Sequence, residues 1–326
     1  MDEAGIQFAH YDKVRAGPLH GVGVLRVLIS LANLTIGTFQ ALRLVGRHQP
    51  QVLLLTGGWV GLPVAVAAWL RRVPSLIYLP DIEPGLAIRI LQRFARRVAT
   101  TVGDSAAYFK AGKTVATGYP VRTKMVEAAT AQGRERAIVH FALDPERKTL
   151  LVFGGSRGAR SINLTLLDLL PELLADGLQI IHVTGTLDWE QVQKRRLALA
   201  ETQHYHAYAY LHDEMALAYA AADLVVCRAG ASTLGELPLF SLPAILVPYP
   251  HAWRYQKVNA EWLAGRGAAI VMEDAAMGES LLPTIRSLLE DDVRFEAMRA
   301  AAVALAQPDG AYNVTRELLH LAGETV

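Results

Sequence analysis

The sequence predicts an α/β protein with two parallel-sheet domains. Three observations predict it: continuous apolar runs of strand length, helical stretches that alternate with them, and a length of 326 residues. Apolar runs without a polar face suit strands covered on both sides, as in parallel sheets. A single core stops growing at roughly 250 to 300 residues, so a chain of this length is expected to divide. With 52% hydrophobic and 19% charged residues the chain is too apolar to be disordered. Its 32 basic and 31 acidic side chains nearly cancel, which removes the field that drives non-specific nucleic-acid binding, and no nucleic-acid partner is expected. The single cysteine, Cys227, excludes an intrachain disulfide and a cysteine zinc cluster, and fits a reducing, cytoplasmic compartment.

The elements follow in order. Met1 to Lys13 is mixed and polar, unlike a secretory signal. Val27 to Leu42, bracketed by Arg26 and Arg43, reads as a core or surface-associated helix that falls short of a full membrane span. Gln51 to Leu70 carries no charge but is interrupted by Gly57-Gly58, Gly61 and Pro63. It reads as a strand (Val52 to Leu55), a glycine turn and a helix that tolerates Pro63 in its first turn. A strand at Ser75–Leu79 follows. Around Lys124 to Arg147 the strand pattern lapses into alanine, glycine and charge, which reads as a connector. The expected division is therefore 1–123, a linker over 124–147, and a second domain over 148–326. Further strands are expected at Leu150–Phe153, Ile180–Thr184, Leu224–Cys227, Ala244–Val247 and Ala268–Met272. Helices are expected at Ile162–Leu174, Glu214–Ala221, Leu234–Phe240 and Gln256–Arg266, which completes repeated βα units.

Three turns carry the chemistry. After Leu150–Phe153 come Gly154, Gly155, Ser156, Arg157, Gly158 and Ala159, then a helix. Glycines there let backbone amides approach a phosphate at a helix N-terminus; an ordinary tight βα turn has the same composition. The spacing is not G-x-G-x-x-G, and the next strand ends in Val183-Thr184-Gly185 where a dinucleotide enzyme has an acidic ribose ligand, so a nicotinamide cofactor is disfavoured. The second turn, Arg228 to Ser232, leads into a helix with Glu236 in its first turn. That carboxylate either complements the helix dipole or accepts hydrogen bonds from two sugar hydroxyls. The third runs from Val247 through His251 to Arg254, Tyr255, Gln256 and Asn259, a polar cluster at the carboxyl end of a strand, where ligands of open parallel sheets lie.

The runs GGSRGARSIN and ADLVVCRAGASTLGELPLFSLPAILVPYPHAWRYQKVNA, with the earlier GGWVGLP and GYPVR, resemble the MurG family, the UDP-N-acetylglucosamine transferases that complete lipid II. The resemblance is dense after Gly118 and looser before it. It implies a GT-B fold, two Rossmann-like domains facing a cleft, with the nucleotide sugar on the C-terminal domain and a lipid-linked acceptor on the N-terminal one. Position by position, it implies that Ser156, beside Gly155, Arg157 and Gly158, and Arg122 contact the donor diphosphate. Leu211 would read the uracil edge through its main chain. Ala231, Ser232 and Thr233 would offer amides to the phosphates, Glu236 would bind the ribose hydroxyls, and Gln256 the transferred sugar. No metal and no cofactor is implied, because amides and an arginine can stabilise the departing UDP.

Two departures from the family pattern stand out. The family opens with a strand and a GGTGGH loop, and nothing similar precedes Val52, which leaves the N-terminal domain short by about one βαβ segment. The family's HEQN is replaced by Tyr78-Leu79-Pro80-Asp81, so the proton of the attacking hydroxyl needs another acceptor. Asp81 is the candidate base or a turn residue after Pro80; Glu83 and His251 are weaker candidates. The expectation is an inverting enzyme that moves N-acetylglucosamine from UDP to undecaprenyl-diphospho-muramoyl-pentapeptide on the cytoplasmic face of the membrane. Alternatives are a glycolipid transferase with another acceptor and a non-catalytic UDP-sugar-binding protein. Peripheral attachment would use Leu25, Arg26, Ile29, Leu42, Arg43 and Arg47, unless these apolar residues pack inside the domain.

Overall fold

The computed structural model describes residues 10–155, 159–199, 202–250 and 255–324. They form two compact units: one holds the described residues up to Thr117 together with those from Tyr312 onward, the other Gly118–Ala311.

In the first unit, α1 (Val24–His48), β1 (Leu53–Leu55), α2 (Gly61–Leu70), β2 (Ser75–Leu79), α3 (Leu86–Leu91), β3 (Arg97–Thr100) and β4 (Thr114–Ala116) build a parallel sheet in the order β1-β2-β3-β4. Side chains of β2 alternate between two cores, as its period of two requires. Ile77 and Leu79 meet Leu55, Ala65, Ile88 and Leu91, while Leu76 and Tyr78 turn to the opposite face. α1 is longer than its sequence suggested, 25 residues, and by length and composition alone could cross a bilayer. One stripe of it is buried, Ser30, Leu34, Gly37, Ala41 and Val45 at helical spacing, and it packs on α2. Gly37 is needed there, because an added Cβ would lie 1.9 Å from the Arg15 carbonyl oxygen. Leu42 packs inward beside Ala41 and Val45, whereas Leu25 and Ile29 are exposed.

The second unit contains α4 (Thr123–Ala128), α5 (Ala131–Phe141), β5 (Thr149–Phe153), α6 (Arg160–Ala175), β6 (Gln179–Val183), α7 (Trp189–Arg196), β7 (Tyr205–Tyr208), α8 (Met215–Ala221), β8 (Leu224–Cys227), α9 (Thr233–Leu239), β9 (Ala244–Leu246), α10 (Tyr255–Ala264), β10 (Ala269–Val271), α11 (Met277–Glu290), α12 (Asp292–Leu305) and the start of α13 (Gly310–Ala322). Its six parallel strands run in the order β10-β9-β8-β5-β6-β7. The chain builds outward from β5 through β6 to β7, then returns to β8 on the other side. Strand order reverses between β5 and β8, and the crevice at their carboxyl ends is where such a sheet takes a ligand. One face of the sheet buries Leu150, Val152, Ile180, Leu224 and Val226 against Ile162, Leu166 and Leu170 of α6 and Leu281 and Ile285 of α11.

The division falls at Thr117/Gly118 rather than within 124–147, and those residues are not a connector. Their small residues serve packing: Gly133, Ala137 and Phe141 are the buried face of α5, which lies on α8. Arg134 of α5 donates to the Ala221 carbonyl at 2.9 Å and pairs with buried Asp223 at 3.0 Å. Arg122 consequently belongs to the second unit, not to the first as the sequence suggested. The stretch 312–324 likewise leaves the second unit: Val314, Leu318 and Leu321 of α13 cover Leu76, Tyr78 and Ala99 of the first sheet, and Arg97 pairs with Glu317 at 2.8 Å.

Candidate functional site

The carboxyl ends of β5, β8 and β9 open onto a cavity of about 550 Å³, lined by Phe153, Gly154, Gly155, Ala159, Arg228, Gly230, Ser232, Thr233, Tyr249 and Gln256. Gly155 has φ +89°, a conformation that favours glycine, and a Cβ placed at Gly155 or at Gly230 would meet nothing within 4 Å. Both turns therefore leave open space beside their backbones. Ala159 offers no capping side chain to the amides that open α6. Ser232 does not cap α9; its hydroxyl bonds to the Glu236 carboxylate instead. Among the described residues, neither N-cap side chain takes up these helix-opening amides, and amides left open beside free backbone are what an anion requires. Ser156, Arg157, Gly158, His251 and Arg254 lie outside the described residues.

Glu236 sits one turn into α9 and is half-buried. The Tyr219 hydroxyl donates to its Oε2 at 2.9 Å. Burial raises the carboxyl above the ordinary glutamate range, while the hydrogen bonds from Tyr219 and Ser232 and the Arg122 charge oppose that rise. Cys227, fully buried nearby, has its thiol pushed up by burial and by the Glu236 charge, which favours the neutral thiol.

Arg122 and Leu211 come together. The Arg122 guanidinium lies 3.5 Å from the carbonyl oxygen of His212, and Lys124 pairs with Asp213, which places the GYPVR turn beside the loop after β7. That turn is held closely. An added Cβ on Gly235 would lie 2.5 Å from the Tyr119 Cβ, and one on Gly310 would lie 2.2 Å from the Tyr119 carbonyl oxygen. On the far side of the cavity, Gln256 accepts the Tyr249 amide through Oε1 at 2.8 Å, which orients its NH2 as a donor, and buried Asn259 donates to the Ala229 carbonyl at 3.2 Å.

Sequence reasoning gave no role to Arg228, although it stands at the head of the second turn. It is buried and binds across three elements: the Val247 carbonyl at 3.1 Å, Ser161 of α6 at 2.7 Å, and Asp274. Its guanidinium also lies 5.3 Å from the Tyr249 ring centroid. Tyr219 and Asn163 were missed as well. Asn163, in the first turn of α6, links the Thr184 carbonyl at 2.8 Å, Asp188 at 2.9 Å and His182 at 2.9 Å. A buried arginine, or an asparagine inside a helix, was the available signal, since such residues need partners.

Asp81 lies in the first unit, half-buried on the turn after β2. Glu83 is buried and ion-paired with Arg89 at 2.9 Å, and the Arg89 Nε donates to the Pro84 carbonyl. Glu83 therefore ties that turn to α3 through Arg89.

The glycosyltransferase family 28 C-terminal domain matches residues 149–314, and the family 28 N-terminal domain matches residues 1–100. The chain is 40% identical to the UDP-N-acetylglucosamine–N-acetylmuramyl-(pentapeptide) pyrophosphoryl-undecaprenol N-acetylglucosamine transferase of Roseiflexus sp. (strain RS-1), over 92% of this chain and 76% of that one. It is 38% identical to the enzyme of the same name from Geobacter sulfurreducens, over 94% and 83%. Among solved structures, Acinetobacter baumannii MurG superposes with a TM-score of 0.73 at 26% identity, covering 92% of this chain and 83% of that chain. A Staphylococcus aureus MnaA–UDP complex shares the fold alone, with a TM-score of 0.67 at 9% identity. On these matches and the two parallel-sheet units, the chain is a glycosyltransferase of family 28 with a GT-B fold and belongs to the MurG family.

Proposed function

We propose that the chain moves N-acetylglucosamine from UDP-N-acetylglucosamine to undecaprenyl-diphospho-muramoyl-pentapeptide, with inversion at the anomeric carbon. The observation that carries this reading is the cavity at the β5/β8 reversal, with open backbone at Gly155 and Gly230 and the half-buried Glu236 carboxylate one helical turn away.

Each group has a task in the transfer. Amides of the turn before α6 and of Ala231, Ser232 and Thr233 bind the diphosphate, with Ser156, Arg157 and Gly158 completing that turn and Arg122 adding a full positive charge. These groups stabilise the negative charge that grows on the departing UDP, the largest electrostatic demand of the step. Main-chain groups at Leu211 read the uracil edge, Glu236 accepts the ribose hydroxyls, and Gln256 donates to the sugar. The acceptor hydroxyl gives its proton to a carboxylate, which we assign to Asp81, as its oxygen bonds to the anomeric carbon and the bond to the β-phosphate oxygen breaks. Membrane contact is peripheral, on the cytoplasmic face, through the exposed side of α1 with Leu25, Ile29, Arg26, Arg43 and Arg47.

Calorimetry with UDP-N-acetylglucosamine and product analysis with the muramoyl lipid and with diacylglycerol test the reading together. Saturable binding and turnover of the muramoyl lipid alone are expected. Turnover of diacylglycerol alone moves the assignment to a glycolipid transferase, and binding without turnover moves it to a regulatory protein. Failure to float with liposomes containing anionic lipid removes the peripheral attachment.

A further inference from the structure

Tyr219 is fully buried yet touches a carboxylate of the proposed donor site. It is 1% exposed, so it offers no surface to a ligand. Phe240 stacks on its ring at 5.4 Å between centroids, tilted by 14°, and Phe153 meets it edge-on at 5.6 Å. Two aromatic neighbours fix the ring, and the only polar atom of the side chain reaches Glu236 Oε2 at 2.9 Å. Burial keeps the phenol protonated, because both desolvation and the Glu236 charge raise its pKa, so the hydroxyl acts only as a donor toward that carboxylate.

Resting on the reading that Glu236 binds the donor ribose, we propose that Tyr219 is a positioning residue for UDP-sugar recognition: its hydroxyl holds one carboxylate oxygen, so the other is aimed at the ribose diol. The geometry meets a specific need. A carboxylate half-buried on a short helix would otherwise rotate and would favour its proton, and a protonated acid is a poorer acceptor for two hydroxyls. Among the described residues, the charged and titratable groups that act on Glu236 are Tyr219 on α8, Cys227 on β8 and Arg122 ahead of α4, with the Ser232 hydroxyl at the head of α9. Of the two hydroxyl donors, Tyr219 is the one whose side chain is locked by packing; Ser232 is half-buried. A tyrosine rather than a phenylalanine between Phe153 and Phe240 is explained by this single bond, since the ring contacts alone need no hydroxyl.

Tyr219→Phe tests it, because the ring and both aromatic contacts remain. The KM for UDP-N-acetylglucosamine is expected to rise about tenfold, as for a lost hydrogen bond to a charged group, with kcat nearly unchanged. The acid limb of kcat/KM is expected to move upward by about one pH unit, since the lost donor had favoured the ionised carboxyl. The preference for UDP-N-acetylglucosamine over its 2′-deoxyribose analogue is expected to shrink, which a loss of packing alone would not cause. Unchanged KM, acid limb and deoxy discrimination in Tyr219→Phe overturn the proposal. Glu236→Gln, assayed beside it, separates the two levels. If Glu236→Gln leaves KM unaltered, the ribose assignment itself falls; if it raises KM and Tyr219→Phe does not, only the positioning role falls. Phe240→Leu, which unstacks the ring and leaves the hydroxyl in place, is expected to move the same readouts more weakly. It decides the matter if Tyr219→Phe does not yield folded protein.

Discussion

Gly235→Ala sets two known effects against each other and reads out which one governs the donor turn. In an exposed helix, replacing glycine by alanine is stabilising by at most about 1 kcal/mol. Here the new methyl would lie 2.5 Å from the Tyr119 Cβ, 3.0 Å from its Cγ and 3.1 Å from its Cδ1. Carbon atoms settle at about 3.5–4.0 Å, so the two must separate by roughly 1 Å. Rotating the tyrosine does not help, because its Cβ is fixed to the backbone. Retreat of the turn is opposed as well, since the Tyr119 carbonyl already sits where a Gly310 side chain would lie, 2.2 Å away. Overpacking of this kind costs about 1–3 kcal/mol. The net expectation is a loss of about 1–2 kcal/mol in urea unfolding, or a fall in Tm of about 2–8 °C for a unit of this size. Arg122 stands three residues after Tyr119, so the KM for UDP-N-acetylglucosamine is expected to rise several-fold in the same variant. A Tm that rises, with KM unchanged, would refute the reasoning, because it would show that helix propensity outweighs a contact that yields freely.

Other expectations follow from the same contacts. Glu236 has its folded-state carboxyl raised by burial, so the folded form binds the proton more tightly than the unfolded one. Stability of the unliganded protein should fall as pH rises from the ordinary glutamate value of 4.5 through the raised folded value, then level off; Glu236→Gln should abolish that slope in thermal melts across pH while weakening donor binding. Asn163→Ala leaves the Thr184 carbonyl, Asp188 and His182 short of partners, and a loss of about 2–4 kcal/mol is expected by denaturant titration. His182 is held neutral by burial, its pKa lowered to about 3, so that loss should be the same at pH 6 and pH 8. Asp81→Asn is expected to lower kcat by about a hundredfold or more with the KM for UDP-N-acetylglucosamine unchanged; a wild-type kcat would return the base to an unassigned carboxylate.

Strands buried on both faces were readable because burial and sequence agree there: Ser75–Leu79 and Leu224–Cys227 lie where their apolar runs placed them. β3, β4 and β7 were missed. Their sequences, RVAT, TVA and YHAY, are short or polar, and the pairing that makes them strands comes from neighbours distant in sequence. The misplaced domain boundary has a related cause. Alanine, glycine and charge suggest a linker in sequence, but small residues are also what lets two helices approach closely, and only the partner helix distinguishes the cases. Within the site, the glycine turns and Glu236 were legible from local pattern. Tyr219, Asn163 and Arg228 were not, since each acts through a partner 17 to 46 positions away.

The return of α13 to the first sheet bears on how the protein is made. Ribosomal synthesis delivers Leu76, Tyr78 and Ala99 more than two hundred residues before Val314, Leu318 and Leu321, which cover them. Throughout that interval the nascent first unit lacks the cover for that apolar face, whereas the second unit is one continuous stretch of chain. The first unit therefore cannot complete its packing until the second has been synthesised.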